Sequence, residues 1–479
     1  MPGGPNIDRQ QVPRERRLYC NRTLNLRSVQ AVGYDMDYTL LHYRPEEWEG
    51  RAFEHARLQL AARGWPVEEL QFEPDQVTQG LALDLELGNL VKATRFGWVI
   101  AARHGTDQLD FDEIRTSYEG ILVDLAEPRF GFLNTLFSLS EASLFSQLVD
   151  LLDAGELAGV RGYDDVYTAV VQALDESHTA GVLKAEIIAD PDRFVEPAPE
   201  TAAALLDQRS ARKKVMLITN SDWAYTTGMM SYAFDRYAPT GSWRDLFDIV
   251  IVSAHKPAFF AERQPCYRVV DEDRGLLEPH RGLLESGHAY FGGNARLVED
   301  SLELDGDHIL YVGDHLFGDV HVSKDILRWR TVLILREIEA EIGDAVAFAA
   351  DQGRLTGLME RKVDLERELA DRRLARVLDR DGRQPLTRAD RRDLERELSR
   401  LVEQVSATDA EIAPLAQAAA QLGNRVWGPL MRAGSDKSLF ARQVERYADV
   451  YTSRVGNLAH ETPFAYLRAA RSTLPHDVV

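Results

Sequence analysis

The chain has 479 residues, of which 44% are hydrophobic, and carries a formal net charge of -21. This length allows a sizeable buried core, whereas the negative charge disfavours nucleic acid as a partner. The two cysteines exclude a disulfide framework, and no apolar run approaches the ~20 residues needed to span a bilayer. We therefore expect a cytoplasmic globular protein that binds neither nucleic acid nor a membrane.

Five short segments of the chain have the composition of buried strands. Each is rich in Val, Ile or Leu and is bounded by polar residues or glycine, with helical patterns between most of them. This alternation predicts an α/β fold with a parallel sheet, in which ligands bind beyond the carboxyl ends of the strands. The five segments are residues 29–34, 214–219, 248–253, 308–313 and 331–335.

A long insertion separates the first predicted strand from the second. Residues 49–211 are too many for a loop and contain helical patterns, which predicts a cap domain over the ligand edge of the sheet. The core would then consist of residues 21–48 and 212–350. Residues 1–20 are mostly polar and indicate a flexible N-terminal arm.

A second unusual segment follows the core. Residues 351–422 carry Leu, Val and Ile at helical spacing among many Arg and Glu residues, and Gly382 and Pro385 interrupt the pattern. This predicts a helical hairpin that packs against the body of the protein or against another subunit, which leaves a homo-oligomer open. Residues 423–479 are expected to pack on the core.

Two carboxylates, Asp35 and Asp37, stand just past the first predicted strand. A pair at this spacing occurs in turns as well as in sites. In a site, one carboxylate could attack phosphorus and form an aspartyl-phosphate, while the other protonates the leaving oxygen and later deprotonates a water. Two carboxylates would repel a phosphate unless a cation intervened, and Mg²⁺ fits that need.

Polar residues also follow the next two predicted strands. Thr219, Asn220 and Ser221 offer hydrogen-bond donors to phosphate oxygens, although Thr-Asn-Ser is equally suited to capping a helix. Lys256 comes after the third strand. A lysine is usually a solvated surface charge, but at this edge it could neutralise a phosphoryl group during transfer.

Two further acids, Asp314 and Asp319, follow the fourth predicted strand. Asp314 would complete a magnesium site, and Asp319 would orient that site or Lys256; the alternative is a turn bounded by glycines. Each motif is ambiguous alone. An acid pair, a threonine, a lysine and a second acid pair at the ends of separate strands together predict a phosphoryl-transfer site.

These motifs resemble those of the haloacid-dehalogenase-like (HAD) phosphatase superfamily and, within it, the cytosolic purine 5'-nucleotidase group. The similarity runs from about residue 21 to the C-terminus, although the predicted hairpin matches only loosely. The matching segments are Asp-Met-Asp-Tyr-Thr-Leu at 35–40, Asn-Thr-Leu-Phe at 134–137, Thr-Asn-Ser-Asp at 219–222, Lys-Pro at 256–257, Gly-Asp-His at 313–315, Phe-Gly-Asp at 317–319 and Arg-Tyr-Ala-Asp at 446–449.

The resemblance implies a Rossmann-like HAD core, a large and mostly helical cap inserted after the first motif, and an additional C-terminal helical hairpin. It implies an enzyme that hydrolyses nucleoside 5'-monophosphates, purine ones such as IMP and GMP, to nucleoside and phosphate with Mg²⁺. In this group Asp35 would be the nucleophile and Asp37 the general acid/base. Thr219 and Lys256 would hold the phosphoryl group, assisted by Asn220 and Ser221.

The resemblance also assigns metal and base contacts. Magnesium would be bound by Asp35, the backbone carbonyl of Asp37 and Asp314, with Asp319 supporting the metal site. In the cap, Phe137 would stack on the base, and the polar substrate contacts would be Asp175, His178 and Lys184. Where the family has an arginine and a tyrosine near the base, this chain has Val171 and Thr179.

Two other functions remain open on the sequence alone. The first is a HAD phosphatase for a different small phosphomonoester, because residues of the cap differ from the family pattern while the catalytic motifs are complete. The second is a non-catalytic nucleotide-binding scaffold that assembles through the hairpin. The complete set of acids favours an enzyme.

Overall fold

The structure, a computed structural model, describes residues 12–179 and 181–470, but not the side chains of residues 178 and 179. The chain forms two compact units. One consists of Met1–Glu339 together with Leu430–Val479, and the other of Ala340–Pro429. None of the helices in the described part is both long and apolar enough to cross a membrane.

The first unit is built on a ten-stranded sheet. In chain order its strands are β1 (Tyr19–Cys20), β2 (Ala31–Tyr34), β3 (Lys214–Ile218), β4 (Ile249–Val252), β5 (Cys266–Asp271), β6 (Leu276–His280), β7 (His288–Gly292), β8 (Ile309–Gly313), β9 (Arg330–Ile334) and β10 (Val450–Thr452). Across the sheet they are arranged as β1-β10-β9-β8-β2-β3-β4-β7-β5-β6. The seven strands from β10 to β7 are parallel, which confirms the predicted α/β fold.

The central strands are apolar along their whole length because helices or loops cover both faces of a parallel sheet. All residues of β2, β4 and β8 are buried. Gly33 in the middle of β2 is required by close packing, since a Cβ there would lie 3.0 Å from the ring of Tyr311 on β8. The five predicted strands correspond to β2, β3, β4, β8 and β9.

The helices of this unit connect the strands and build much of the segment predicted as a cap. They are Pro45–Ala62, Phe111–Ser117, Leu139–Asp153, Tyr163–Thr179, Val182–Ala189, Pro191–Phe194, Pro199–Ser210, Trp223–Phe234, Ala258–Ala261, Ala295–Leu302, Val322–Leu327 and Leu439–Tyr447. A further helix, Ile338–Ala347, begins at the boundary between the units.

The segment 49–211 also contains an antiparallel sheet that the sequence did not predict. Its five strands, in spatial order, are Asp107–Gln108, Val99–His104, Asn89–Ala93, Ala82–Asp84 and Phe130–Phe132. These strands have two to six residues each. Segments this short carry too little hydrophobic periodicity to be recognised without their neighbours. Three two-stranded ladders complete the unit, pairing His42–Tyr43 with Val195–Glu196, Leu24–Asn25 with Tyr466–Leu467, and Arg432–Ala433 with Asp436–Lys437.

The predicted N-terminal arm is regular in its second half. Arg14–Arg16 form a 3-10 turn, and β1 pairs with β10 at the edge of the large sheet. The ring of Tyr19 stacks on that of Tyr451 with centroids 5.3 Å apart. Backbone pairing and this ring contact hold residues 19 and 20 in place, although the polar composition of residues 1–20 indicated a flexible arm. Residues 1–11 lie outside the described part of the chain.

The second unit contains the predicted helical hairpin. Its helices are Ala349–Arg380 and Arg388–Ala420, and the turn between them holds Gly382 at φ 70°. Thr387 starts the second helix with a capping box closed by Asp390. The buried contact between the helices is formed by Leu369, Leu394, Leu398 and Leu401.

Candidate active site

The motifs predicted from the sequence meet at one edge of the large sheet. Strands β8, β2, β3 and β4 are neighbours and parallel, so the residues that follow them face the same cavity, of about 430 Å³. The predicted residues that line the cavity are Asp35, Asp37, Phe137, Thr219, Asn220, Lys256, Asp314 and Asp319.

Lys256 is a buried cation in the floor of this cavity. Its Nζ lies 2.7 Å from Oδ1 of Asp35 and 2.8 Å from Oδ1 of Asp319, and its side chain is 4% exposed. Burial by itself lowers the pKa of Lys256, but the carboxylates of Asp319 and Asp35 outweigh it and hold the pKa well above its ordinary value. Nζ also donates to the hydroxyl of Tyr311 over 3.0 Å, and that hydroxyl donates to the carbonyl of Ile218.

Three carboxylates surround one point beside Lys256. Oxygen atoms of Asp35, Asp314 and Asp319 lie within 4.8 Å of one another, and all three residues are buried. Burial raises the pKa of Asp35 to about 6 against the opposing charge of Lys256, and burial and Asp35 raise the pKa of Asp314. One lysine cannot neutralise three buried acids, and an all-oxygen set of this kind fits a small divalent cation such as Mg²⁺.

Asp319 reaches this site through a turn that needs glycine at both ends. Residues Leu316–His321 form a π-helical turn after β8. A Cβ on Gly313 would overlap the carboxylate of Asp319, and a Cβ on Gly318 would lie 2.9 Å from Nδ1 of His315. That Nδ1 accepts the backbone N–H of Gly318 over 2.7 Å, and burial lowers the pKa of His315 to about 4. His315 therefore shapes the turn as a neutral side chain.

The segment predicted as a cap reaches Asp314. Thr135, which is 6% exposed, donates its hydroxyl to Oδ2 of Asp314 over 3.0 Å. Two residues on, Phe137 lines the cavity and meets the rings of Tyr38 and Trp48 at centroid distances of 4.6 and 5.5 Å. The sequence motif 134–137 singled out Phe137 but gave no reason to select Thr135.

Hydroxyl groups hold both oxygens of Asp37. Tyr43 donates to Oδ1 over 2.6 Å and Ser221 donates to Oδ2 over 2.7 Å. Burial and the nearby charge of Asp35 raise the pKa of Asp37, and the two hydroxyl bonds partly oppose that rise. The hydroxyl of Tyr43 lies 3.0 Å from that of Tyr225.

Asn220 and Thr219 organise the loops of the site. The side-chain Oδ1 of Asn220 accepts the backbone N–H of Lys256 over 2.6 Å, and its Nδ2 donates to the carbonyl of Lys256 over 3.1 Å. Thr219 is fully buried, and its Oγ1 accepts the backbone N–H of Ser221 over 3.0 Å. Asn220 thus fixes the backbone that carries the lysine.

The predicted cap contacts are more dispersed. Asp175 is exposed on the helix Tyr163–Thr179 and is not among the residues that line the cavity. Lys184 forms an ion pair of 3.2 Å with Asp222 and lies 5.0 Å from the ring centroid of Tyr225. The side chain of His178 lies outside the described residues.

Apart from Ser221, sequence reasoning missed the hydroxyl groups that lie next to the acids and Lys256. Tyr311 sits inside β8 and has the pattern of a core residue, and Tyr43 lies in a two-residue strand with no motif of its own. Tyr225 falls within a helix, where an aromatic residue is normally part of the packing. Only the Asn-Thr-Leu-Phe match around Thr135 offered a signal.

Comparison with known proteins identifies relatives over nearly the whole length. The human 5'-nucleotidase domain-containing protein 2 is 27% identical over 481 residues, which cover 96% of this chain and 85% of that protein. The rat protein of the same name is 27% identical over 483 residues, covering 96% and 80%. Among solved structures, a haloacid dehalogenase-like family hydrolase from Xanthomonas campestris is 14% identical with a TM-score of 0.24, covering 64% of this chain and 82% of that chain. An overlap this weak supports no argument.

The family model gives the assignment. A family model described as the 5' nucleotidase family matches residues 18–479. These residues include every motif that meets at the cavity, as well as the helical hairpin. The resemblance inferred from the sequence, and with it the prediction of a 5'-nucleotidase, is confirmed at the level of the family. The chain belongs to the 5' nucleotidase family.

Proposed function

We propose that the protein is a magnesium-dependent 5'-nucleotidase that hydrolyses nucleoside 5'-monophosphates, purine ones such as IMP and GMP among them, through an aspartyl-phosphate on Asp35. The observation that supports this proposal most is the buried set of Asp35, Lys256, Asp314 and Asp319 beside Asp37. A binding protein has no need for four carboxylates at the phosphate end of its cavity, because they repel the ligand.

Asp35 is assigned as the nucleophile. A carboxylate oxygen of Asp35 forms a bond to phosphorus while the bond from phosphorus to the 5' oxygen of the nucleotide breaks. Lys256, 2.7 Å from Oδ1 of Asp35, favours the ionised carboxylate and orients it. The charge of Lys256 then offsets the charge that spreads over the phosphoryl oxygens as the group is transferred.

Asp37 is assigned as general acid and base. Its carboxyl proton passes to the 5' oxygen as that oxygen leaves, which releases the nucleoside. The resulting carboxylate takes a proton from the water that attacks phosphorus, the bond between phosphorus and Asp35 breaks, and Asp37 is protonated again. Thr219 and Lys256 hold the phosphoryl oxygens, while Asn220 and Ser221 assist by fixing Lys256 and Asp37.

Magnesium would be held by Asp35, Asp314 and the backbone carbonyl of Asp37, with Asp319 beside them. When bound, it supplies positive charge that reduces the repulsion between these acids and the phosphate. This proposal rests on the chemistry of the donor set, since three buried carboxylates lie together and Lys256 pairs with Asp35 and Asp319.

The nucleoside end of the substrate is assigned to the cap. Phe137 lines the cavity and would stack on the base, and a cavity of about 430 Å³ falls in the range of small-molecule sites. Asp175, His178 and Lys184 are proposed as the polar contacts that favour purines.

The test is phosphate release from IMP, GMP, AMP, UMP, CMP and glycerol phosphate, each with Mg²⁺ and with EDTA. We expect turnover of nucleotides with Mg²⁺, faster for IMP and GMP, and none with EDTA. Faster turnover of glycerol phosphate than of any nucleotide would favour the general phosphatase. Nucleotide binding without turnover would favour the scaffold.

A further inference from the structure

The phenol of Tyr43 contacts the proposed general acid directly. Its hydroxyl donates to Oδ1 of Asp37 over 2.6 Å, while Ser221 occupies the other oxygen at 2.7 Å. Tyr43 is 1% exposed, and its ring packs against those of Trp48 and Tyr38 at centroid distances of 4.3 and 5.3 Å. This packing holds the hydroxyl of Tyr43 in a fixed position beside Asp37.

A second phenol lies within hydrogen-bond distance of Tyr43. The hydroxyl of Tyr225, also 1% exposed, lies 3.0 Å from that of Tyr43. A phenol has one proton to donate, and Tyr43 gives its proton to Asp37. Tyr225 must therefore be the donor in the bond between the two phenols, so the chain of donation runs from Tyr225 through Tyr43 to Asp37.

This arrangement controls where the carboxyl proton of Asp37 can point. As long as Tyr43 and Ser221 donate to Asp37, neither can accept its carboxyl proton, which is then free for a group in the cavity. We infer that Tyr43 is a positioning residue for the general acid, oriented in turn by Tyr225. The inference rests on the proposed function, in which Asp37 protonates the leaving oxygen.

The neighbouring Tyr38 supplies a matched comparison. Tyr38 is also 1% exposed, and its ring packs against those of Tyr43 and Trp48. Among the described residues, however, its hydroxyl has no hydrogen-bond partner. Removing the hydroxyl of Tyr38 changes packing as little as removing that of Tyr43, yet takes nothing from Asp37. A loss of activity in Tyr43→Phe that Tyr38→Phe does not show is therefore due to the hydrogen bond from Tyr43 to Asp37.

The experiment compares leaving groups. The ratio kcat/KM is measured for wild type, Tyr43→Phe, Tyr225→Phe and Tyr38→Phe with IMP and with p-nitrophenyl phosphate. The 5' oxygen of IMP needs a proton as it leaves, whereas nitrophenolate departs without one. Since kcat/KM reports the steps up to transfer of the phosphoryl group to Asp35, a defect in the acid must appear there with IMP.

We expect Tyr43→Phe to lower kcat/KM for IMP by about 10- to 100-fold, a part of the 10²–10⁴-fold scale of acid–base catalysis, and to lower it less than about 3-fold for p-nitrophenyl phosphate. Tyr225→Phe should show the same selectivity with a smaller loss, and Tyr38→Phe should match wild type. Equal losses on both substrates, or no loss with IMP, would overturn the inference. If Tyr43→Phe does not fold by thermal melting, Tyr225→Phe decides the same question. A wild type inactive on IMP would instead refute the proposed function.

Discussion

The residues proposed to bind the phosphate and those proposed to bind the nucleoside are held in place differently. At the sheet edge, Lys256 contacts Asp35 and Asp319, while hydroxyl groups donate to Asp37 and Asp314. Each charged group there therefore has a partner. In the cap, Asp175 is exposed and Lys184 is paired with Asp222. Under the proposed function, the chemistry is carried by groups at the ends of buried strands, whereas recognition is assigned to a segment whose polar groups are more exposed.

The largest expected effect is at the sheet edge. Asp35→Asn keeps the shape of the side chain but removes its nucleophilic charge, so nucleotide turnover should fall by at least about 10⁴-fold. The matched control is Asp112→Asn, which removes a carboxylate that is 81% exposed and should leave kcat unchanged. Near-normal phosphate release by Asp35→Asn would show that Asp35 is not the nucleophile.

Metal removal is the second test of the same end. Mg²⁺ at about 100 times its Kd should stabilise the folded protein by about 2.7 kcal/mol, measured as a rise in melting temperature, and EDTA should reverse that rise. Asp314→Asn should remove most of the effect, because it takes away one of three carboxylates. A rise that is equally large in Asp314→Asn would place the ion elsewhere.

Glu49 is a buried acid in the segment predicted as a cap, and no cation among the described residues opposes the effect of burial on its pKa. Ser140 donates to Oε2 of Glu49 from its hydroxyl and its backbone N–H, and burial raises the pKa of Glu49 from 4.5 to about 8. The folded state therefore keeps a proton that the unfolded state loses. The stability contributed by Glu49 is complete below pH 4.5 and is lost as the pH rises towards 8.

The variant Glu49→Gln cannot titrate. Between pH 5 and pH 8 we expect the free energy of unfolding of the wild type to fall relative to that of Glu49→Gln, by about 1.4 kcal/mol per pH unit at most. Chemical denaturation at several pH values measures the difference. Curves that stay parallel across this range would mean that Glu49 is ionised in the folded protein.

The smallest effects are expected from the nucleoside end. Phe137→Ala should lower kcat/KM for every nucleotide by about 10-fold, because stacking does not depend on the identity of the base. Asp175→Ala should narrow the preference for IMP over CMP by less than about 10-fold, because the variant removes one proposed hydrogen bond to the base. An unaltered ranking of bases in Asp175→Ala would remove Asp175 from recognition.

The sequence predicted the strand-end motifs because each is local. Asp35 and Asp37 adjoin an apolar run, and the parallel sheet brings their partners to the same edge without further information. The hydroxyls of Tyr43 and Thr135 reach the acids only through tertiary packing. No spacing in the chain announces such contacts, and their residue types are common in cores.

The same dependence on contacts between segments explains why the strands in residues 49–211 were not predicted. The predicted strands β2, β4 and β8 are fully buried runs of apolar residues. In Val99–His104 the burial does not alternate, and the strand pairs with Asn89–Ala93 on one side and Asp107–Gln108 on the other. Pairing between the segments, rather than the pattern within any one of them, determines the sheet in residues 49–211.

The most direct test of the central claim is to trap phosphate on the protein. IMP labelled with ³²P is mixed with the enzyme and Mg²⁺, the reaction is quenched in acid during turnover, and the labelled peptide is identified. We predict label on Asp35, its release by hydroxylamine, and none in Asp35→Asn. Label on another residue, or an unlabelled wild type that turns over IMP under conditions where phosphoryl transfer is faster than hydrolysis, would contradict the account.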